Sequence, residues 1–221
     1  MPAVVTVELP GQLAVTTKTG GSAGGPLWAM IARAGELRCR WEHTRDEDDR
    51  LAMRAAWDIH ITCTGSEVFG RCPKPGDWEG CTPTVLCHET GDDDNHLAYR
   101  GACLGCGWVS ATIHLLWHGG ENGAAEDAND HAHPGWRALP VVAPLPHCDS
   151  AAAQKRAVAS WRSRWEPLFP DGWLEGGGPV RTQREPNAGR HVPGRAPGGG
   201  YDMAARGDER EALGGQLALF A

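Results

Sequence analysis

Two cysteines separated by two residues carry the strongest chemical signal in this 221-residue sequence, in the stretch CLGCGW at 103–108. Two thiolates at this spacing, with glycine after the second, form a turn whose backbone amides point toward sulfur. Zinc accepts such a pair at about 2.3 Å from each sulfur and needs two further ligands to complete a tetrahedron. Cys103 and Cys106 therefore predict half of a zinc site.

The other two ligands must come from elements that fold back onto this turn. Cys87 ends the apolar stretch PTVLC, and His131 lies at the end of the helical pattern ENGAAEDANDHA. A strand and a helix packed against the turn would bring both side chains to it. We therefore predict a Zn²⁺ site formed by Cys87, Cys103, Cys106 and His131, with three histidines as substitute ligands: His88, His118 and His133.

A site with four protein ligands has no open coordination position and stabilises the fold instead of supplying a reaction centre. An open three-ligand site, with Glu126 or Asp130 as a base, is the enzymatic alternative. The sequence lacks a metallohydrolase signature such as His-Glu-x-x-His, so a structural metal is favoured. A redox pair or plain buried thiols are the remaining interpretations of the two cysteines.

Three further cysteines, Cys63, Cys72 and Cys81, are spaced evenly in a turn-rich segment. Together with His60 they could bind a second metal ion. None of them forms a Cys-x-x-Cys pair, so this second site is a weaker hypothesis.

The elements that must position the zinc ligands follow from periodicity and turn signals. Strands are predicted at 83–88, 96–103 and 107–117, the last of them from its alternating apolar residues. Helical spacing and capping signals predict helices at 26–40, 44–58, 121–131 and 150–165. These elements indicate an α+β fold, a small zinc-stabilised antiparallel sheet with packed helices. The predicted domain spans 26–175 and follows two N-terminal strands and a linker at 1–25.

Glycine, proline and arginine dominate the sequence after this domain. Residues 176–212 lack periodic apolar positions, so we predict a disordered linker there. Four arginines of this segment could contact a DNA backbone if a protein partner brings the segment close to DNA: Arg181, Arg184, Arg190 and Arg195.

The charge balance limits the partners. A formal net charge of −7 argues against a nucleic-acid footprint over the whole protein, and no apolar run approaches the length of a membrane span. The N-terminus also lacks a secretory pattern, so we expect a cytoplasmic protein whose cysteines are reduced.

Two segments resemble a known domain family. YRGACLGCGWVSA and, further on, DHAHPGWRALP are similar to the pattern of an actinobacterial and phage-associated family of unknown function. The resemblance covers about 95–145 well and 165–203 more loosely. It supports Cys103, Cys106 and His131 as site residues and implies a mobile-element context, but no reaction.

The chain ends in Gln216-Leu217-Ala218-Leu219-Phe220-Ala221. Gln-Leu-x-Leu-Phe resembles the short motif by which bacterial polymerases and repair factors dock onto the sliding clamp. In that mode Gln216 lies at the pocket rim, Leu217 precedes the anchor, and Leu219 and Phe220 enter an apolar pocket. Residues 213–221 are therefore the predicted docking segment.

Together these features predict a zinc-binding accessory or modulator protein of DNA replication or repair, tethered to the sliding clamp. The alternatives are a zinc-dependent enzyme that processes nucleic acid and an adaptor for another protein partner. Recruitment to the clamp and inhibition of the clamp would use the same tail.

Overall fold

The computed structural model describes residues 4–5, 17–18, 26–62, 78, 80–89, 97–116, 120–184 and 191–205. These residues form two compact units. The described residues up to Ala132 belong to an N-terminal unit, and those from His133 onward belong to a C-terminal unit. The single domain predicted at 26–175 spans parts of both units, because the chain changes units directly after the helix that carries His131.

The N-terminal unit contains a two-stranded sheet, a four-stranded sheet and three helices. Its elements are β1 (Val4–Val5), β2 (Thr17–Lys18), α1 (Pro26–Thr44), α2 (Glu47–Arg54), β3 (Asp58–Thr62), β4 (Pro83–Glu89), β5 (Leu97–Cys103), β6 (His114–Leu115) and α3 (Gly120–Ala132). The larger sheet has the order β3-β4-β5-β6, with every neighbouring pair antiparallel.

One face of this sheet carries the apolar core of the N-terminal unit. Leu86 on β4 and Ala98 and Ala102 on β5 are fully buried there. They pack with apolar residues of α1, which recur at helical spacing: Leu27, Trp28 and Ile31. One face of β4 and β5 and the apolar stripe of α1 thus form one core.

The alternate residues of β5 face α3. Gly101 has no side chain, and a Cβ there would lie 2.6 Å from the carbonyl oxygen of Ala124 and 2.8 Å from the amide nitrogen of Ala128. The helix backbone therefore approaches the strand more closely than any other residue would allow. Ala124 and Ala128 are fully buried at this contact.

The C-terminal unit has its own sheet and core. Its elements are a 3₁₀ turn (Trp136–Ala138), β7 (Val141–Val142), α4 (Ala151–Trp165), a second 3₁₀ turn (Glu166–Leu168), β8 (Val180–Thr182), β9 (His191–Val192) and β10 (Asp202–Ala204). The sheet order is β7-β8-β10-β9, with parallel pairs except for β10 and β9. Its core consists of Val142, Trp161, Phe169, Leu174, Val180 and Ala196.

The predicted disordered linker at 176–212 is wrong for 176–184 and 191–205. These residues supply β8, β9 and β10, and Val180 and Tyr201 are almost fully buried. Glycine is frequent because backbone segments touch: a Cβ on Gly200 would lie 2.5 Å from the carbonyl oxygen of Gly178, and one on Gly198 would collide with the carbonyl of Leu174. Here glycine permits close packing, which composition alone does not distinguish from flexibility.

Two of the arginines expected in a solvated linker are part of this fold. Arg184 is buried and forms an ion pair with the buried Asp202, at 3.3 Å between Nε and Oδ2. Arg181 donates to the carbonyl oxygens of Arg137 and Leu139. Arg195 lies 3.9 Å from the same Asp202 carboxylate, and Arg190 lies outside the described residues.

The α+β class is confirmed, and the four predicted helices are present. The strand predicted at 107–117 is reduced to a single bridge at Val109 and the two residues of β6. Within the described residues, no helix is both long enough and apolar enough to cross a membrane.

Candidate metal centre

Three cysteines and one histidine converge at one end of the larger sheet. The ligand atoms of Cys81, Cys103, Cys106 and His131 all lie within 4.8 Å of one another. Among the described residues, no other group of three or more cysteine, histidine or acidic side chains converges in this way. We call these four residues the Cys3His cluster.

Three members of the Cys3His cluster were predicted, and the fourth was not. Cys81 takes the place that was predicted for Cys87, which does not belong to the cluster. In the antiparallel register Pro83 pairs with Cys103, whereas Cys87 pairs with Tyr99. Cys87 therefore lies roughly 13 Å along β4 from Pro83, the residue that pairs with Cys103, at about 3.3 Å per residue.

A sequence signal for Cys81 did exist. The strands at 83–88 and 96–103 were both predicted, and an antiparallel pair places the start of the first beside the end of the second. Cys81 lies just before the first strand, and Cys103 ends the second. The choice of Cys87 overlooked this consequence of strand direction.

The Cys103–Cys106 segment forms a tight turn held by backbone hydrogen bonds. The amide of Gly107 donates to the carbonyl of Cys103 at 2.8 Å, and the amide of Cys103 donates to the carbonyl of Trp108 at 2.9 Å. Gly107 has a φ of 75°, in the left-handed region that favours glycine. These contacts fix the directions in which the two thiols point.

A second close backbone approach brings Cys81 to this turn. A Cβ on Gly105 would overlap the carbonyl group of Gly80, the residue before Cys81. The amide of Leu104 also donates to the carbonyl of Thr82 at 2.9 Å. The segment before β4 is thus bound to the turn on both sides of Cys81.

The helix α3 delivers the imidazole. His131 lies in its last turn, and its Nε2 is 3.1 Å from the sulfur of Cys106. The indole of Trp108 stacks on the His131 ring, with centroids 4.3 Å apart and planes within 2°. Burial lowers the pKa of His131, which favours the neutral ring that a metal ion requires.

Burial raises the pKa of two thiols of the cluster, those of Cys81 and Cys106, and so favours their protonated form. Cys103 is fully buried, whereas Cys81 and Cys106 are exposed residues. A metal ion would therefore displace protons from partly accessible thiols at the surface of a buried turn.

The geometry fits a tetrahedral ion. In a site with Zn–S bonds of about 2.3 Å, the sulfur atoms lie about 3.8 Å apart and the sulfur–nitrogen edges measure about 3.6 Å. All edges of the cluster are below 4.8 Å, and the Cys106–His131 edge of 3.1 Å would open by about 0.5 Å on binding. The four residues can therefore hold one metal ion with small local shifts.

The substitute ligands have other environments. The ring of His88 packs against Trp57 at 4.1 Å between centroids, and that of His133 packs against Trp173 at 5.4 Å. His118 lies outside the described residues, as do Cys63 and Cys72 of the hypothetical second site. That second site also loses Cys81 to the Cys3His cluster.

The predicted clamp-docking residues are not described. Gln216, Leu217, Leu219 and Phe220 all lie beyond residue 205, the last that the structure describes. The docking segment therefore stays a prediction from the sequence.

A family model described as a family of unknown function (DUF6349) matches residues 41–212. The match covers more than half of the chain and includes all four residues of the Cys3His cluster. No curated protein and no solved structure matches the chain.

Proposed function

The chain belongs to this family of unknown function, and from the Cys3His cluster we propose that its N-terminal unit is a zinc-binding domain. The observation that carries this proposal is the convergence of three sulfur atoms and one ring nitrogen within 4.8 Å. The identity and the role of the metal ion must be consistent with the chemistry of these four groups.

The donor set favours zinc over other divalent ions. Thiolates are soft ligands, imidazole is borderline, and a tetrahedral set of three sulfurs and one nitrogen is typical of structural zinc. Magnesium and calcium prefer oxygen ligands, which this cluster lacks. Because thiol protons must leave, the affinity for zinc should rise with pH.

We assign the metal a structural role. Four protein ligands close the coordination sphere, so no position is open for water or substrate. The ion would join three segments, namely the approach to β4, the turn after β5 and the end of α3. The enzymatic alternative with Glu126 or Asp130 as base is less well supported, because it requires one of the four ligands to be absent.

For the cellular role, we propose an accessory or modulator protein of DNA replication or repair in the cytoplasm. The support is the C-terminal Gln-Leu-x-Leu-Phe sequence, from Gln216 to Phe220, which matches a sliding-clamp docking motif. Reduced thiols as metal ligands agree with a cytoplasmic location. The family resemblance supports a mobile-element association, and contact with DNA would be indirect, through the clamp.

The metal proposal is tested by zinc content and stability of two serine variants. Cys81→Ser should lose most bound zinc and several kcal/mol of unfolding free energy, because the binding energy of a structural ion is folding energy, about 10 kcal/mol or more in small zinc domains. Cys87→Ser, six residues further on and outside the Cys3His cluster, is the matched control and should keep its zinc. Equal zinc content in the two variants would refute the ligand assignment.

The docking proposal is tested by titrating a peptide of residues 208–221 against a purified bacterial sliding clamp. Gln216→Ala and Phe220→Ala peptides should bind at least tenfold more weakly, because they remove the rim contact and the pocket anchor. Pull-down with the full chain and with a chain ending at Gly215 then separates clamp docking from an adaptor role. Clamp capture by the shortened chain, or equal binding by the three peptides, would reject the motif.

A further inference from the structure

Charge is distributed unevenly between the two halves of the chain. Residues 133–221, which make up nearly all of the C-terminal unit, contain 11 lysines and arginines against nine acidic residues. Residues 1–132 contain 10 against 19. The negative net charge of the chain therefore comes from the N-terminal half, and the slightly basic C-terminal unit can face an anionic partner.

The helix α4 carries four of these positive charges and no negative one. Its basic residues are Lys155, Arg156, Arg162 and Arg164. Arg162 already has carboxylate partners, because its Nη1 lies 3.1 Å from Glu166 and 2.6 Å from Glu175. The other three form no ion pair within the described part of the chain, so their charges are available to a partner.

These three cations lie on one exposed face of α4, together with four small residues. The opposite side of the helix carries Trp161, which is 4% exposed and donates from its indole to the carbonyl oxygen of Ala143 at 2.8 Å. The exposed small residues are Ala152, Ala159, Ser160 and Ser163. At 3.6 residues per turn, Lys155 and Arg164 mark the two edges of this face and Arg156 lies near its centre. We call these seven residues the α4 face.

Side-chain contacts hold the α4 face in place. The Gln154 side chain accepts from the amide of Cys148 at 2.9 Å and donates to the carbonyl oxygen of Pro146 at 3.1 Å. Ser150 caps the start of the helix, and Trp161 anchors its buried side. Because the backbone under the α4 face is already ordered, binding there would cost little conformational entropy.

The shape and composition of the α4 face fit duplex DNA better than other anionic partners. A helix about 10–12 Å across enters a major groove about 12 Å wide, and small side chains let it come close. The two tryptophans of α4, Trp161 and Trp165, pack in the core of the C-terminal unit. The α4 face therefore offers neither an aromatic platform for stacking single-stranded bases nor a large apolar side chain for insertion into a membrane.

We propose that the α4 face binds duplex DNA directly, with Lys155, Arg156 and Arg164 at phosphate groups. This contact goes beyond the indirect one through a clamp, and it rests neither on the Cys3His cluster nor on the docking motif. Three phosphate contacts give weak, sequence-independent binding, with a dissociation constant of about 10⁻⁶–10⁻⁴ M at physiological salt. A clamp on the same DNA would strengthen it by raising the effective concentration.

The first experiment titrates the purified full chain into a fluorescent duplex of 20 base pairs, without a clamp, and follows anisotropy at several salt concentrations. Three neutralised phosphates predict a slope of about −2.7 for the logarithm of the binding constant against that of the salt concentration. Affinity should thus fall about 40-fold between 50 and 200 mM salt. A slope near zero would overturn the proposal.

A triple variant locates the contact. The chain with Lys155→Gln, Arg156→Gln and Arg164→Gln should bind the duplex at least tenfold more weakly at 50 mM salt, and its slope should approach zero, because each lost phosphate contact removes about one unit of slope. Glutamine favours helix, so α4 stays folded, which hydrogen exchange in α4 checks.

The matched control removes three positive charges from exposed residues of the N-terminal half: Arg33→Gln, Arg40→Gln and Arg45→Gln. It should bind duplex DNA like the wild type. An equal loss of affinity in both triple variants would show that net charge and not the α4 face governs binding, and would overturn the proposal.

A second variant keeps all three cations. Ser163→Glu places a negative charge on the α4 face and should weaken duplex binding about tenfold by repulsion of phosphate, whereas Ala32→Glu on an exposed position of α1 should not. Wild-type affinity of Ser163→Glu would contradict contact through this face.

Three other anionic probes test the choice of partner. Single-stranded DNA of the same length, vesicles of phosphatidylserine and phosphatidylcholine, and polyglutamate should each bind more weakly than the duplex. Equal or tighter binding of any of them would reject duplex DNA as the partner. Neither zinc content nor a clamp enters these measurements, so failure here is distinct from failure of the zinc and docking proposals.

Discussion

Cys81 lies just before β4 and Cys87 lies within it, and the two residues have different neighbours. Cys81 joins two thiols and an imidazole, whereas Cys87 lies opposite Tyr99 and outside the Cys3His cluster. The first environment can bind a soft metal ion, and the second lacks the further thiols that such an ion prefers. Residue type is identical in the two positions, so the neighbours set the chemistry.

At the residue scale, the His60 contacts predict a pH-dependent stability. Hydrogen bonding to Cys87 and then to Glu121 raises the pKa of His60 to about 10, from 6.5. The folded state thus holds a proton that the unfolded state loses between these values, so the stabilisation is complete below pH 6.5 and decreases as pH rises toward 10.

This dependence is measured by urea unfolding of the wild type and His60→Gln at about pH 6 and about pH 9.5. The difference in unfolding free energy should be smaller at the higher pH. Proton release on metal binding contributes equally to the unfolding free energy of both proteins, so it cancels in their difference. A difference that is constant or grows with pH would contradict the assigned protonation of His60.

A second residue-scale prediction concerns the buried ion pair of the C-terminal unit. Asp202 accepts hydrogen bonds from Thr182 at 2.6 Å and pairs with Arg184, and both charged side chains are almost fully buried. Asp202→Ala leaves the Arg184 charge buried without its carboxylate and should cost about 3–5 kcal/mol.

Arg195→Ala is the control for this pair. Arg195 also faces Asp202, but it is 39% exposed and 3.9 Å away, so its removal should cost less than about 1 kcal/mol. Both losses of unfolding free energy are measured by chemical unfolding of the full chain, with hydrogen exchange in the C-terminal unit as the readout. Equal losses of unfolding free energy in Asp202→Ala and Arg195→Ala would show that burial does not determine the contribution of the Asp202–Arg184 pair.

At the scale of elements, the contact between α3 and β5 determines whether His131 reaches the thiols. The middle of the helix, at Ala124 and Ala128, lies against Gly101, and His131 is in its last turn. A displacement of the helix therefore becomes a displacement of the imidazole, because a helix moves as a rigid rod over this length.

The prediction is that Gly101→Ala weakens zinc binding without touching a ligand. Its Cβ would press on the α3 backbone, and such overpacking costs about 1–3 kcal/mol. If α3 moves, the His131 ring moves with it, and this displacement should lower zinc affinity about 10–100-fold. The affinity is measured by competition with a coloured chelator.

Gly172→Ala is the matched glycine control. Its constraint is conformational, a φ of 73°, and an added Cβ meets no atom within 4 Å. It should cost about 1–2 kcal/mol through its backbone conformation and leave zinc affinity unchanged. If both variants bind zinc like the wild type, α3 does not position His131 through Gly101.

At the scale of the whole molecule, all four candidate ligands belong to the N-terminal unit, and the C-terminal unit has a separate core. Chelation should therefore expose the N-terminal unit selectively. Hydrogen exchange after chelator treatment should rise in β5 and α3 and stay low in α4 and β8. Simultaneous loss of protection in both units would show that the metal stabilises the entire chain.

Local patterns in the sequence determine much of the secondary structure. The helical spacing of Leu27, Trp28 and Ile31 is confirmed, because it reflects the burial of one face of α1. The strands predicted at 83–88 and 96–103 are present as well, and the second is buried on both faces. Ser150 caps α4 as a helix-start signal predicts, accepting a hydrogen bond from the amide of Ala153.

The sequence by itself determined the α+β class and the members of the Cys3His cluster whose spacing is local, Cys103 and Cys106, together with His131 at the end of its helix. Only the tertiary structure decided that Cys81 and not Cys87 completes the cluster, and that the glycine-rich segment folds into a sheet. Both decisions depend on which backbone lies beside which, through strand direction and register in one case and close approach of glycines in the other. Such long-range pairings leave no periodic trace in the residues that form them.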